Sequence, residues 1–292
     1  MALTAQLLGR CTFAEAGTPV TCAVSGGADS LALLVLAVAA GCVATAVHVD
    51  HGLRAGSAAE ADVVRDVADS VGAAFRGERV VVAPGPNLEA RARAARYQVL
   101  PDDVLTGHTA DDQAETVLLN LVRGAGLDGL AGIAPGPRRP ILGLRRRETH
   151  GLCLALGVAP VDDPSNADPA HRRNRVRHEL MPLLDAVAER DVAAVLARQA
   201  PLLRDEAELL DGLAAALDPA DARAVAAAPV ALARRALRRW LTAGCEHPPD
   251  AATVERVLAV ARGDAKAADV GGGRRVARTG RRLRLDPPPP AP

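Results

Sequence analysis

The first half of the chain alternates short apolar runs with longer helical runs, and this order restricts the fold more than any other feature of the sequence. Strands are predicted at 20–24, at 43–49, up to 80–82 and at 104–107, with helices at 30–40, from 57, at 87–99 and at 109–123. Strands that are apolar at nearly every position are covered on both faces. The pattern therefore predicts an α/β fold, with a parallel sheet and helices on both of its faces.

The pattern changes near residue 181, after which Leu, Ala and Arg dominate and strand signals are almost absent until residue 271. Helices are predicted at 182–198, 201–217, 229–243 and 250–261, and Pro201 is expected to break or kink the first two apart. A small hairpin is predicted over 271–285, turning at Thr279 and Gly280. These signals predict two domains, at 1–180 and 181–286, and a disordered Pro-rich tail at 287–292.

The composition narrows the class of protein. The formal net charge of the 292 residues is zero, so no global positive field gathers nucleic acid, although arginines cluster at 138–147, 172–177, 234–239 and 274–284. The five cysteines are widely spaced without a C-x-x-C pair, which supports neither a zinc ribbon nor a disulfide framework. The longest apolar run, 31–40, is too short to span a membrane, and no signal-peptide pattern opens the chain, so a cytoplasmic protein is expected.

A glycine-rich loop lies between the first predicted strand and the first predicted helix. Glycines there let the backbone approach an anion, and the N-terminus of the helix supplies oriented N–H groups and a positive dipole. No G-K-[ST] follows, so the loop is not a Walker A motif; a tight turn with a serine or aspartate cap is the alternative. The loop resembles the PP-loop of the N-type ATP pyrophosphatases. That resemblance implies ATP binding by Ser25, Gly26, Gly27, Ala28, Asp29 and Ser30.

A second polar segment follows the fourth predicted strand and opens the next helix. Asp112 and Glu115 are three positions apart, which puts both carboxylates on one face of the helix, and Asp111 adjoins them. Carboxylates near a helix N-terminus also suit the helix dipole, so capping alone is one interpretation. Three acidic groups at the carboxyl edge of a sheet, beside a phosphate loop, exceed what capping needs. They could hold a magnesium ion or an amine.

Five ordered motifs resemble those of the tRNA(Ile)-lysidine synthetases, a family within the PP-loop class. The resemblance covers about residues 19–184, and the second half matches only in being short and helical, as in a short form of the family. Besides the loop, the matching segments are H-V-D-H-G-L-R at 48–54, N-L-E…A-R-x-x-R-Y at 87–97, G-H-x-x-D-D-x-x-E-T at 107–116, R-P-I-L at 139–142, and D-P-S-N at 163–166 with the R-N-x-x-R that follows at 173–177.

The resemblance implies a Rossmann-like ATP-binding catalytic domain and a smaller tRNA-binding domain. It also implies the reaction. The C2 oxygen of the wobble cytidine in a CAU-anticodon isoleucine tRNA is adenylated by ATP with release of pyrophosphate, and the ε-amine of free lysine then displaces AMP to give lysidine. The base has to leave the anticodon stack to reach ATP, which costs roughly a few kcal/mol. Magnesium is expected to accompany ATP.

Site residues follow from the positions that match the motifs. Catalysis is expected from Asp29, Asp112 and Glu115, the last two attracting the lysine ammonium and taking its proton. Magnesium is expected on Asp29 and Asp111. Besides the loop, the residues expected to contact ATP are His48, Asp50, His51, Gly107 and His108. The residues expected to contact tRNA are Arg93, Arg96, Arg145, Arg173, Asn174 and Arg177.

Three other functions stay open at this point. A tRNA thiolase of the same fold would need a reactive cysteine pair or an iron–sulfur C-x-x-C. A glutamine-fed amidotransferase would need a glutaminase domain, for which the chain has no room. A non-catalytic RNA-binding or nucleotide-sensing module would keep the loop but would have lost the chemistry. The intact acidic residues argue against this third function. The sequence does not decide the oligomeric state and is compatible with a homodimer.

Overall fold

The computed structural model describes residues 2–50, 52, 57–81, 85, 88–161, 167–243, 245 and 248–286, without the side chains of 57–59, 88–90 and 93. The chain divides into two compact units, Met1–Pro201 and Leu202–Pro292. Each unit has a buried core of its own. In the described part of the chain, no helix is long and apolar enough to cross a membrane.

A parallel three-stranded sheet lies at the centre of the first unit, preceded by helix α1 (Ala2–Leu8). Its strands β1 (Pro19–Ala23), β2 (Val43–Asp50) and β3 (Ala74–Arg79) pair in that order. The two parallel connections contain α2 (Ala28–Ala39) and α3 (Ser57–Val71). Nine of the twelve residues of α2 are buried, because this helix is apolar on almost every side. The predicted α/β fold with a parallel sheet is confirmed.

The fourth strand is much shorter than predicted. Only Leu105 pairs with the sheet, donating its N–H to Thr21 O at 2.8 Å and accepting from the Ala23 N–H at 2.9 Å. The chain leaves the sheet at Thr106, whose N–H and hydroxyl both donate to Arg138 O. The third strand lies at 74–79, earlier than the predicted end at 80–82, although the Val80 N–H still donates to Asp50 O.

The other helices of the first unit follow the sheet in the chain. They are α4 (Leu88–Val99), α5 (Ala110–Val122), α6 (Leu127–Leu130), α7 (Arg146–Ala155), α8 (Arg172–Arg175), a π-helix (Val176–Leu180) and α9 (Met181–Ala188). Helix α7 packs against α2, where the thiol of Cys153 lies 3.6 Å from Ala28 O. The segments α8, π-helix and α9 are continuous, because the residues between them keep right-handed helical dihedral angles.

Of the break or kink predicted at Pro201, the break is wrong, since α10 (Val192–Ala215) continues through this residue. The break lies instead after α9, where Glu189 has a left-handed backbone with φ 49°. Two carboxylates explain why α10 begins after this break. Asp185 accepts from the Val192 N–H at 2.8 Å and Asp191 accepts from the Ala194 N–H at 3.0 Å, so the first donors of α10 are satisfied there.

The second unit packs three helices on a small antiparallel sheet. These are α11 (Ala222–Ala227), α12 (Val230–Thr242) and α13 (Ala251–Arg262), followed by β4 (Ala267–Gly271), β5 (Arg274–Thr279) and β6 (Arg282–Asp286). The predicted β5–β6 hairpin is present, but its turn lies at Gly280 and Arg281, one residue later than predicted, because Thr279 still pairs with Arg282. Strand β4 has no clear signal in the sequence. The tail at 287–292 lies outside the described residues.

Candidate active site

The glycine-rich loop leads from β1 into α2 and presents the N-terminus of that helix. Gly27 caps the helix in an extended conformation, at φ −72° and ψ 155°. The Ser30 hydroxyl donates to Gly27 O at 2.8 Å and accepts from the Ser25 N–H at 3.1 Å, which closes the loop on itself. The Ser30 N–H donates to Gly27 O at 3.0 Å. Helix geometry leaves the N–H groups of Ala28 and Asp29 without an acceptor inside the helix, and these can bind an anion.

Two glycines fix the loop against its neighbours. Gly26 has a left-handed φ of 89°, and its carbonyl accepts from the Val161 N–H at 2.9 Å. A Cβ on Gly107 would lie 2.8 Å from Asp29 O, closer than real contacts allow. Glycine at 107 therefore lets the segment before α5 approach the start of α2, and the acids on the two helices come together.

One guanidinium joins the three carboxylates that the sequence singles out. Arg146, at the start of α7, donates to Asp29 at 3.3 Å, to Glu115 at 3.0 Å and to Asp112 at 3.1 Å. The sequence motifs point to the neighbouring Arg145 and not to Arg146. The run of three arginines at 145–147 was the available signal, but choosing among them requires the rotational phase of α7.

Glu115 is enclosed by arginines, and only 2% of this residue is exposed. Arg173 donates to its Oε2 and Arg177 to its Oε1, both at 2.7 Å. Arg173 also donates to Asp112 at 3.0 Å. We call the six side chains the arginine–carboxylate network, and their three positive and three negative charges balance: Asp29, Asp112, Glu115, Arg146, Arg173 and Arg177.

The buried acids of this network have pKa values shifted in opposite directions. Burial raises the pKa of Asp29 above its ordinary value, although the Thr149 hydroxyl and the Arg146 guanidinium act to lower it. Burial would also raise the pKa of Glu115. The hydrogen bond from Arg177 and the charges of the three surrounding arginines outweigh it, so the pKa of Glu115 lies below its ordinary value.

Asp112 divides its two oxygens between helix capping and the network. Its Oδ2 accepts from the Thr109 N–H at 2.8 Å and from the Thr109 hydroxyl at 2.9 Å, at the N-terminus of α5. Its Oδ1 accepts from Arg146 and Arg173. The capping interpretation therefore accounts for one oxygen only, and the other faces the site.

Asp111 lies apart from the network, contrary to the expected magnesium pair with Asp29. Its carboxylate accepts from Arg145 Nε and Nη2 at 3.0 and 2.9 Å and from the Arg146 N–H at 2.7 Å. Arg145 also contacts Asp191, so its guanidinium holds two carboxylates rather than standing free for tRNA. Within the described ranges, no group of three or more His, Cys, Asp or Glu residues is placed to hold a metal.

A cavity of about 730 Å³ opens over the loop. Predicted residues lining it are Ser25, Gly27, Ala28, Asp29, Ser30, Arg96, Gly107, His108, Asp112 and Arg177. Lining residues that the sequence analysis misses include Thr106, Arg146, His150, Val161 and His178. Arg96 and Arg177 thus face the same space as the ATP loop, although the sequence analysis assigns both to tRNA.

Other predicted residues do not line this cavity. His48 is 3% exposed, and its Nδ1 donates to Val24 O at 2.9 Å, beneath the loop. Asp50 accepts from the Gly52 N–H at 2.7 Å, and the buried Asn174 donates to Asp168 O at 2.9 Å. His51, the side chain of Arg93 and the segment 163–166 lie outside the described residues.

Comparisons with known proteins match the chain to two family models. Residues 5–184 match the family model of the PP-loop domain, and residues 221–284 match that of the TilS substrate binding domain. The chain is 45% identical over 241 residues to a tRNA(Ile)-lysidine synthase of Rhodococcus erythropolis, covering 77% of this chain and 74% of the relative. It is 43% identical over 274 residues to that of Thermobifida fusca, covering 85% and 83%.

A solved structure shares the fold at lower identity. The U34-tRNA thiolase NcsA from Methanococcus maripaludis, determined with its 4Fe-4S cluster, superposes with a TM-score of 0.55 at 16% identity, covering 70% of this chain and 78% of that one. This likeness supports the fold alone. The PP-loop match over more than half of the chain, together with the relatives above 40% identity, decides the family. The chain belongs to the tRNA(Ile)-lysidine synthase family.

Proposed function

We propose that this protein uses ATP to join free lysine to C2 of the wobble cytidine of a CAU-anticodon isoleucine tRNA. The products are lysidine, AMP and pyrophosphate. The observation that carries the proposal is the cavity in which the PP-loop, Asp29, Asp112 and Arg146 meet. Its substrate is made in the cytoplasm, and we place the enzyme there.

The triphosphate of ATP binds at the start of α2. The loop offers backbone N–H groups and a helix N-terminus, Arg96 adds positive charge, and the guanidinium groups of Arg146 and Arg177 line the same cavity. A volume of about 730 Å³ lies within the usual range for small-molecule sites. The residues therefore suit a nucleotide together with one flipped base.

In the first step, the C2 oxygen of cytosine attacks the α-phosphorus of ATP. The bond from that phosphorus to the β-phosphate oxygen breaks, and pyrophosphate leaves with the electron pair. Charge that develops on the leaving group is stabilised by donors already in place at the helix N-terminus and at Arg146. Asp29 and the buried Thr149 hydroxyl, which donates to it, hold that guanidinium in position.

Asp29 is also the carboxylate best placed for magnesium. Mg²⁺ usually binds one or two carboxylates together with substrate phosphates, so a single acid beside the loop fits it. Bound there, the ion would neutralise charge on the departing pyrophosphate. Asp111 does not fit this role, because it does not line the cavity and its two oxygens accept from Arg145 and from the Arg146 N–H.

In the second step, the lysine ε-amine attacks C2, the C2–O bond breaks and AMP leaves with the oxygen. Lysine arrives as an ammonium ion and must lose a proton first. Glu115 already accepts from three arginines, so an ammonium reaches it only by replacing one of their N–H groups. Its lowered pKa makes Glu115 suited to hold the cation rather than to take its proton. Asp112, which lines the cavity, is the proposed proton acceptor.

The experiment that tests the proposal is tRNA-dependent pyrophosphate exchange. Labelled pyrophosphate should enter ATP when the protein is incubated with CAU-anticodon isoleucine tRNA without lysine, because adenylation is then reversible and stops at the intermediate. The matched control is the same tRNA with uridine in place of the wobble cytidine. Equal exchange with both tRNAs, or exchange without any tRNA, would contradict the proposal.

The thiolase alternative requires a nucleophilic thiolate, and the cysteines are poorly suited to this. Burial raises the pKa of Cys22 to about 12, and that of Cys11 and Cys153 to about 11. Thiols with such values are protonated at neutral pH and are weak nucleophiles. The shared architecture with the U34-tRNA thiolase therefore does not extend to a sulfur-transfer chemistry at these positions.

A further inference from the structure

A second depression, of about 510 Å³, lies between α5 and the segment from α8 to α9. We call it the α5 groove; its floor is formed by Leu119, Val122, Val176, Leu180 and Leu183, and its rim by Arg123, Arg172, Arg175 and Glu179. Val122 and Leu183 are 74% and 59% exposed. Large aliphatic side chains exposed side by side mark a binding surface, whereas scattered ones do not.

The rim of the α5 groove is positively charged. Arg175 is paired with Glu179 at 2.9 Å. Arg123 and Arg172 form no ion pair with any residue that the structure describes, so three arginines and one glutamate leave two uncompensated charges. Arg173, next in the chain to Arg172, contrasts with it, because its guanidinium is committed to Glu115 and Asp112. The groove thus combines an apolar floor with free cations at its edge.

The α5 groove and the arginine–carboxylate network are built on the same two helices. Glu115, Leu119 and Val122 are spaced four and three residues apart and share one face of α5. The rise of an α-helix places Val122 about 10 Å along the axis from Glu115. On the other side, Arg177 of the network and Val176 and Leu180 of the groove belong to the same π-helix. The groove and the network are therefore neighbours along the same two helices, although Glu115 itself is buried.

We infer that the α5 groove holds the unpaired nucleotides next to the modified cytidine. This inference rests on the proposed function, in which one base of a single-stranded loop is flipped into the cavity. Neighbouring bases would pack on the aliphatic floor, and their phosphates would lie against Arg123 and Arg172. Single-stranded RNA presents apolar base faces and anionic phosphates in alternation, and this matches the floor and the rim better than a purely apolar partner would.

The test measures the salt dependence of binding to an RNA anticodon stem-loop. Each phosphate contact of a single strand contributes about 0.7 to the slope of log affinity against log salt. Arg172→Gln and Arg123→Gln should each reduce the slope by about that amount. Glu179→Gln should act in the opposite direction, because it frees Arg175; we expect tighter binding and a steeper slope. A variant that merely damaged the fold would not bind RNA more tightly.

Controls separate this inference from the proposed function. Arg65→Gln, which removes an arginine paired with Asp62 on α3, should leave the slope unchanged. ATP affinity should be the same in all variants. If Arg172→Gln and Glu179→Gln both kept the salt-dependence slope of the wild type while the protein still formed lysidine, the inference about the groove would be overturned and the proposed function would stand. A protein that binds no tRNA would overturn both. A concentration-dependent dimer lost in Leu183→Asp would assign the groove to a second copy and overturn the inference.

Discussion

Arg145 and Arg146 are consecutive in the chain, yet their guanidinium groups hold different acids. Arg145 contacts Asp111 at 2.9 Å, whereas Arg146 contacts Glu115 at 3.0 Å together with Asp29 and Asp112. Arg145 is the extended N-cap residue of α7 and Arg146 is its first helical residue, so the two side chains leave the backbone in different directions and only Arg146 lines the cavity. The site is thereby centred on a cation, with three carboxylates around it.

Glu115→Gln should destabilise the protein. The substitution keeps the shape but removes a buried charge that accepts from three arginines. Hydrogen bonds to charged groups contribute more than neutral ones, and we expect a loss of about 2 kcal/mol in the free energy of unfolding. Urea denaturation at pH 7 measures it. The matched control is Glu179→Gln, whose exposed acid is paired with one arginine; its urea midpoint should stay at the wild-type value.

The stabilisation by Glu115 should depend on pH. The pKa of Glu115 is lower in the folded state than its ordinary value of 4.5. The stabilisation that Glu115 provides is therefore complete above pH 4.5, and it is lost as the pH falls through the pKa of the folded state. The difference in unfolding free energy between wild type and Glu115→Gln should therefore be constant from about pH 6 to 8 and shrink below about pH 4.5. If the difference in unfolding free energy grew on acidification, the pKa of Glu115 would be raised in the folded state.

Asp29→Asn should make the protein more stable but inactive. Burial raises the pKa of Asp29, so the ionised form costs stability at neutral pH, and this cost is relieved as the pH falls through the raised value. We expect a higher Tm at pH 7 and no pyrophosphate release. Asp29→Ala should likewise abolish adenylation while the fold survives. Normal pyrophosphate release by either folded variant would refute the role assigned to this carboxylate.

The close approach at Gly107 gives a prediction about the ATP site. Gly107→Ala places a Cβ 2.8 Å from Asp29 O, so the loop or the start of α5 must move. We expect a loss of about 1–3 kcal/mol in stability, as for other overpacked sites, and weaker ATP binding by calorimetry. Gly151→Ala is the control, because its new Cβ would meet nothing within 4 Å and lies inside α7. ATP affinity equal in the two variants would contradict the packing argument.

Glu115→Gln should also separate the two chemical steps. If Glu115 holds the lysine ammonium, the variant still forms the adenylate but transfers lysine poorly, with the larger defect at low lysine. Single-turnover pyrophosphate release without lysine measures the first step, and lysidine formation across lysine concentrations measures the second. Loss of the first step in a folded variant would instead assign Glu115 to the organisation of Arg146 around ATP.

Much of this fold can be predicted from local patterns, whereas the network cannot. The parallel strands and the loop before α2 follow from apolar runs and glycines, and Asp112 and Glu115 follow from their helical spacing. Arg146 and Thr149 reach Asp29 across more than a hundred residues, and no local pattern reports such contacts. The proline at 201 also does not report where α10 begins, because the first donors of that helix are satisfied by Asp185 and Asp191.

The central claim is tested most directly by the nucleosides of the tRNA product. CAU-anticodon isoleucine tRNA is incubated with the protein, ATP and lysine, digested to nucleosides and analysed by mass spectrometry. The account predicts that one cytidine gains the mass of lysine less one water, with AMP and pyrophosphate formed in equal amounts. An unchanged cytidine, a sulfur-containing nucleoside, or ADP in place of AMP would contradict it.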